Sequence, residues 1–377
     1  MMAKKHTDAY KKLGRVLIVL FVAAVICAGG YALMDQSIKA QVEENERLAA
    51  AENAQLEAQY QQAKQEEQQK AQQGESIQWP EPAQQGWDVL DLTGYPVVSP
   101  ITVSATRRDL LLGGMLLLNT WHSMPSDFPE DELVNVYDKQ SHPIPVSSAS
   151  VRMLPVAVTA LNEMLEAAKA EGLEGYVIDE GYRTMEKQTE YYNAEAAKYS
   201  DRYSGDALIE RVRKIVNYPG TSEYQSGFSC RVDRYSKTDT DLMNKKFFET
   251  EQSDWLVENS WKYGFVFRFP VQGYPNATVV DKSYKTGESR KLSIYRYVGK
   301  GHAAVMQAMN FCMEEYIEYL VQHPHLAVYE NGVKKYEITR VSGGVTAADV
   351  QVEISSQAKN YVVSTDNMGG IITCMEF

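Results

Sequence analysis

Apolar and polar positions divide the chain into stretches of different texture. Val16 to Met34 runs 19 residues without a charge, close to the roughly 20 that cross a bilayer as a helix. Asp35 to Ser76 is rich in Gln, Glu and Ala and holds no Pro. It spaces Ile38, Val42, Ala49, Leu56 and Ala63 along a thin stripe interrupted by Asn45, Glu52 and Gln59. That pattern predicts a solitary helical stalk or weak coiled coil, on the order of 60 Å long if fully helical. A low-complexity disordered linker is the competing reading. Trp79-Pro80-Glu81-Pro82 closes the segment, and folded sequence is expected from there.

The texture then becomes globular. Leu154 to Ala170 carries apolar residues at helical spacing, with Gly172 just beyond. Gly175 to Asp179 reads as a strand, Met185 to Lys198 as a second helix, and Trp255 to Tyr263 as a third, stopped by Gly264. Phe265 to Phe269 is extended and ends at Pro270. Ala303 to Val321 reads as one helix before Pro324. Leu110 to Asn119 is an apolar run too short to span a membrane. The loose alternation of helix and strand predicts an α+β fold. In the last fifty residues, Leu326 to Glu330 and Val333 to Val341 flank Asn331-Gly332, a strong hairpin signal. Val350 to Ile354, Tyr361 to Ser364 and Ile371 to Glu376 are further strands, and residues 323–377 read as a small β appendix.

Charge adds topology. Residues 1–15 hold Lys4, Lys5, Lys11, Lys12 and Arg15 against Asp8, a net +4. The positive-inside rule then predicts a cytoplasmic tail at 1–15, a single-pass anchor in the cell membrane at 16–34, and a stalk at 35–78 with everything beyond it extracytoplasmic. The stalk offers a route to self-association. A cleaved signal peptide is the alternative, with Gly30-Tyr31-Ala32 as a poor cleavage site. A lipoprotein signal at Cys27 is disfavoured, since Ile26 sits where a small residue is wanted. With 44% hydrophobic and 23% charged residues, the chain has material for a real core. A net charge of −12 and a pI near 5.1 argue against a nucleic-acid partner. A mean hydropathy of −0.38 excludes a polytopic membrane protein. Cys27, Cys230, Cys312 and Cys374 form no C-x-x-C, which argues against a disulfide-dense scaffold and a thiolate zinc site.

Four segments carry further information. They are Glu180-Gly181-Tyr182-Arg183-Thr184 followed by Gln188; Pro219 to Arg231 (PGTSEYQSGFSCR); Trp255-Leu256-Val257-Glu258-Asn259 with Tyr263-Gly264-Phe265 and Arg268-Phe269-Pro270; and Arg296-Tyr297-Val298-Gly299. In order and spacing, over roughly Leu116 to Tyr319, they resemble S-G-Y-R-S…Q, P-G-x-S-E-H-Q-x-G-x-A-x-D, W-L-x-x-N…Y-G-F…R-Y-P and E-P-W-H-x-R-Y-V-G. These are the motifs of the VanY-type D-alanyl-D-alanine carboxypeptidases, zinc enzymes that trim cell-wall stem peptides. The resemblance implies a VanY-like, LAS-type peptidase core over residues 79–322. It also implies a zinc held by the His and Asp of the second motif and the His of the fourth, with the fourth motif's Glu as base.

At those four positions this sequence has Tyr224, Arg231, Ile294 and Lys291, while Ser222, Glu223, Gln225, Gly227 and Arg296 are kept. A hydrolytic zinc needs three ligands with lone pairs and an open place for water. Isoleucine has none, and a guanidinium cannot be deprotonated in a protein. Without metal and base, bound water keeps its high pKa. The sequence therefore predicts no intact catalytic residues, no metal ligands and no cofactor. Arg183 resembles the family arginine that holds a substrate carboxylate. With Gln188, Ser222, Arg231 and Lys291 it forms the candidate ligand site. Arg231 and Lys291 bring +2 where the family's zinc, Asp and Glu sum to zero, which favours an anion such as a peptide C-terminus. Alternatively, Arg231 and Lys291 pair with Glu180 and Glu223 and close the cleft. His6, His122, His142, His302, His323 and His325 show neither H-E-x-x-H nor a G-x-S-x-G context and read as surface or capping residues. Cys230 reads as core rather than nucleophile.

Three functions follow. The first is a membrane-anchored pseudopeptidase binding a peptidoglycan stem peptide or another envelope anion or partner. The second is an active D-Ala-D-Ala carboxypeptidase with an atypical site. The third is a structural envelope protein.

Overall fold

The computed structural model describes residues 78–343 and 349–377, together with Arg47, Ala54 and Ala58, each of which is helical. The expected anchor and nearly all of the expected stalk lie outside the described residues. Among the described residues no helix is long and apolar enough to cross a membrane.

The described residues from 78 onward divide into two compact units, one of residues 190–217 and the other of residues 78–189 with 218–343 and 349–377. In the first, the end of the helix Met185–Ala197 is followed by the helix Gly205–Arg213. There the Arg211 guanidinium lies 4.7 Å from the centre of the Tyr199 ring.

The second unit is built on two antiparallel sheets. A four-stranded sheet has the order Tyr176–Glu180, Ser229–Arg234, Ile294–Tyr297, Phe265–Phe267. The helix Pro155–Ala170, started by its proline, buries Ala157, Leu161, Met164 and Ala168 in the same core as Ile178, Phe228, Val232 and Tyr295. A five-stranded sheet has the order Trp87–Asp91, His325–Glu330, Val333–Ser342, Gly370–Glu376, Asn360–Thr365. Its hairpin turns through Asn331 (φ 52°) and Gly332 (φ 76°), the left-handed pair that Asn-Gly supplies at low cost. The C-terminal strands are not a free-standing appendix. Trp87–Asp91 pairs with His325–Glu330, and Pro100–Ala105 pairs with Val350–Ser355, so the expected boundary between residues 322 and 323 is bridged twice.

The apolar run at 110–119 explains how two cores coexist. After the helix Arg107–Leu112 and a bend at Gly113-Gly114, residues 115–118 are fully buried. Leu116 and Leu118 enter the core of the four-stranded sheet, while Met115 and Leu117 enter the core of the five-stranded one. Side chains alternate sides in an extended segment, so a run apolar at every position can serve two cores at once. The predicted helix at 303–321 is two helices, Lys300–Met309 and Met313–Gln322. Asn310 breaks it by adopting φ 53°, a left-handed conformation that asparagine tolerates better than most residues.

Candidate ligand cleft

Backbone geometry brings the first two motifs together. Opposite Ser229–Arg234, the strand Tyr176–Glu180 carries a bulge: Ile178 faces Val232, Glu180 faces Arg231, and Asp179 is the extra residue between them. Two successive carboxylates therefore oppose a single guanidinium, which is the kind of re-aiming a bulge permits. Gly181 follows because a Cβ there would lie 2.4 Å from the Arg152 carbonyl oxygen. The Tyr182 amide then donates to that carbonyl at 2.7 Å, and the Arg183 amide donates to the Tyr224 carbonyl at 2.9 Å. This ties the G-Y-R segment to the short helical turn Glu223–Ser226.

The Arg183 guanidinium is closely held. Its Nε and Nη2 donate to Glu180 Oε1 at 2.8 and 2.5 Å, and its Nη1 donates to Gln188 Oε1 at 2.7 Å. The Tyr224 ring covers its face, 4.5 Å from the guanidinium carbon to the ring centre. Gln188 and Ser222 are fully buried. Arg231 donates to Asp179, and its Nε is buried without a partner.

Where the sequence resemblance places zinc ligands, the structure has hydrocarbon and a cation. Tyr224, Ile294 and Phe269 are buried against one another with Leu292 beside them, and Ile294 faces Arg231 across the next strand pair. Burial raises the Tyr224 phenol well above its ordinary range, despite the nearby cations. It is therefore a neutral phenol and a poor metal donor at neutral pH. Among the described residues no three His, Cys, Asp or Glu side chains are grouped to hold a metal ion. The zinc that the family implies does not fit this set of donors.

The retained motif residues do other work. Glu223, fully buried, accepts from Arg268 Nε at 2.8 Å, Arg296 Nη1 at 2.5 Å and Ser229 Oγ at 2.6 Å. Burial alone would raise its pKa; the two guanidiniums outweigh that and hold it below the usual carboxylate range. Arg268 also makes two bonds to Glu314. Arg296 reaches the Gly114 and Leu116 carbonyls, both at 2.8 Å, and Arg268 reaches that of Leu118 at 3.2 Å. The guanidiniums thus stand in for a neighbouring strand along the extended segment that serves both cores.

The model of the VanY family, D-alanyl-D-alanine carboxypeptidase, matches residues 150–284. A D-alanyl-D-alanine carboxypeptidase of Enterococcus faecium is 27% identical over 269 residues, 71% of this chain and 76% of that one. A D-alanyl-D-alanine carboxypeptidase of Enterococcus faecalis is 32% identical over 245 residues, 62% of this chain and 83% of that one. The chain belongs to the VanY family. At the level of fold, it is similar to the D,D-dipeptidase VanXYg, solved with a D-Ala-D-Ala phosphinate analogue. That likeness has a TM-score of 0.56 at 22% identity, covering 74% of this chain and 99% of that one.

Against this VanY framework, the predicted site residues are only partly gathered. Arg183, Gln188, Tyr224, Arg231 and Ile294 are clustered, and Ser222 is buried at the start of the turn Glu223–Ser226. Lys291 is exposed, its Nζ 5.8 Å from the centre of the Tyr274 ring. The expected closing pairs are also different. Arg231 pairs with Asp179 rather than Glu180, Glu180 pairs with Arg183, and Glu223 is consumed by Arg268 and Arg296. Of the +2 expected from Arg231 and Lys291, the Arg231 charge is met by Asp179, and the Arg183 charge is met by Glu180. Asp179 was missed as a participant. Its signal was the pair of adjacent acids just before G-Y-R, where VanY motifs carry a serine in place of Glu180.

Two of the histidines differ from expectation, and Cys230 is the core residue it was expected to be. His302 and His325 are buried rather than superficial. His302 Nδ1 lies 2.8 Å from Tyr316 Oη, and His325 Nε2 lies 2.9 Å from Glu337 Oε1. Cys230, Cys312 and Cys374 are free thiols, and burial pushes Cys230 up to about 12, as befits a core residue.

Proposed function

We propose that this VanY-family protein is an extracytoplasmic pseudopeptidase that recognises a peptidoglycan stem peptide by its C-terminal carboxylate and does not cut it. The observation that carries the reading is the packing of Tyr224, Ile294 and Phe269, with Arg231 opposite Ile294, at the positions of the family's metal ligands. Arg183 supplies the carboxylate partner, with a planar fork suited to bidentate pairing. Exposed Lys291, one residue before the Leu292 that packs on this cluster, adds an attractive charge. Held at the cell membrane by residues 16–34 and spaced from it by residues 35–78, the domain would face the wall.

The test uses the purified full-length protein with a synthetic stem pentapeptide ending in D-Ala-D-Ala. The expected result is no stoichiometric zinc, no released D-alanine, and binding that is lost on C-terminal amidation. Binding should weaken as salt rises, since these charges are partly exposed. Chelator-sensitive release of D-alanine would overturn the reading in favour of an active carboxypeptidase. For the anchor, the chain should be recovered in the membrane fraction with residues beyond Met34 open to external protease. A processed soluble form as the main species would refute it.

A further inference from the structure

Arg183 already has a carboxylate. Glu180 Oε1 accepts from both its Nε and Nη2, on the side of the guanidinium that would serve an incoming carboxylate as a fork. The family motif has a serine at that position, so this occupancy belongs to this chain. Glu180 also has a second guanidinium within reach. It is the direct cross-strand partner of Arg231, the Coulombic attraction between the two is felt at Arg231, and Arg231 Nε is buried with no hydrogen-bond partner. Asp179, the bulge residue, takes only the Nη2 end of Arg231.

We propose that Glu180 is a built-in competitor for the carboxylate site: it holds Arg183 in the free protein, and a peptide carboxylate displaces it toward Arg231. This rests on the peptide-carboxylate reading above and adds its regulation. No bond is made or broken. One carboxylate leaves Arg183 as another arrives, and the released Glu180 meets the unsatisfied Nε of Arg231 instead of becoming a stranded charge. The same exchange makes the site selective. A neutral or amidated peptide end offers nothing to replace Glu180 on Arg183 and leaves the internal pair intact. The adjacent Tyr224 ring, stacked on the guanidinium, keeps Arg183 in place while its partner changes.

The experiment measures calorimetric affinity of the full-length protein for the D-Ala-D-Ala pentapeptide and its C-terminal amide, with thermal melts to establish folding. Glu180→Ser should bind the free-acid peptide about tenfold more tightly than the parent, the equivalent of losing one charge-assisted contact. Glu180→Gln, which keeps the side chain's volume, should bind severalfold more tightly. Arg231→Gln should weaken binding in the parent and have no effect alongside Glu180→Ser, because its role is to receive Glu180. If the parent binds the free acid and both Glu180 variants bind no tighter, the competitor role is wrong and the peptide reading stands. If Arg231→Gln weakens both backgrounds equally, Arg231 touches the peptide itself and the transfer is wrong. If neither the parent nor Glu180→Ser binds the free acid, the peptide reading falls and takes this proposal with it.

Discussion

Ile294 and Arg231 are direct partners across the strand pair at the heart of the cleft. A hydrocarbon and a fixed cation thus face each other at positions where the VanY resemblance places a histidine and an aspartate. Strand register is set by the hydrophobic pattern, and a slip of one residue would turn both side chains to the other face. Restoring the ligands should therefore restore their mutual geometry.

Changing all four positions together (Tyr224→His, Arg231→Asp, Ile294→His, Lys291→Glu) should give a protein that binds about one zinc per chain, three ligands being what such a site requires. The new acid would lie beside Asp179 with no guanidinium between them. Zinc should accordingly raise the melting temperature of the quadruple variant and leave the parent's unchanged. Tyr224→His alone should bind no stoichiometric zinc. Metal content and melting curves decide the matter, and stoichiometric zinc in the parent would contradict it.

The relation of Glu223 to Arg268 and Arg296 predicts a stability effect without a functional one at the surface. All three side chains are buried, and their bonds hold the extended segment at 114–118 between two cores. Glu223→Gln leaves two guanidiniums facing a neutral amide. Breaking a buried pair on one side costs about 3–5 kcal/mol. Urea unfolding should show a loss of that order, whereas Lys291→Ala at an exposed position should stay within about 0.5 kcal/mol of the parent.

Gly181→Ala should be costly for a different reason. Its Cβ would stand 2.4 Å from the backbone oxygen of Arg152, which has no flexible end to swing away. Overpacking of this kind costs about 1–3 kcal/mol. Because Tyr182 and Arg183 follow directly, their amides bonded to the Arg152 and Tyr224 carbonyls, carboxylate binding should fall along with stability. A variant with unchanged melting temperature and unchanged binding would show that the segment shifts freely.

The main elements of the α+β fold were legible from periodicity because their signals are local. The helix at 155–170, the Asn331-Gly332 hairpin and the strand ending at Asp179-Glu180 each stand where spacing and turn residues put them. The union of Trp87–Asp91 with the C-terminal strands was not legible. It is a pairing between residues more than 200 positions apart, and neither strand's pattern names its partner. The cleft divides similarly. Motif order brought Arg183, Tyr224, Arg231 and Ile294 together, but which acid meets which guanidinium depends on the bulge at Asp179, a backbone feature with no residue code of its own. The break at Asn310 was concealed by an apolar pattern that continues through it.

His302 provides a test of the second core by pH. It is buried beside Tyr316 in the helix Lys300–Met309, and burial pushes its pKa down to about 3. The folded protein therefore holds the ring neutral, while the unfolded chain takes up a proton near pH 6.5. Between those values the unfolded state binds more protons, so stability rises with pH and is lost as pH falls below 6.5. From pH 6.5 to 5, above the range where ordinary carboxylates titrate, the loss through this one group is at most about 1.5–2 kcal/mol. His122, also lowered mainly by burial, contributes with the same sign, so the informative quantity is a difference between proteins. His302→Gln keeps a polar group opposite the Tyr316 hydroxyl and removes the titration. It should be less stable than the parent at pH 7.5 and converge toward it by pH 5 in parallel denaturant titrations. Parallel pH profiles for the two proteins would mean that His302 is protonated in the fold, and that the core around Tyr316 admits a charge.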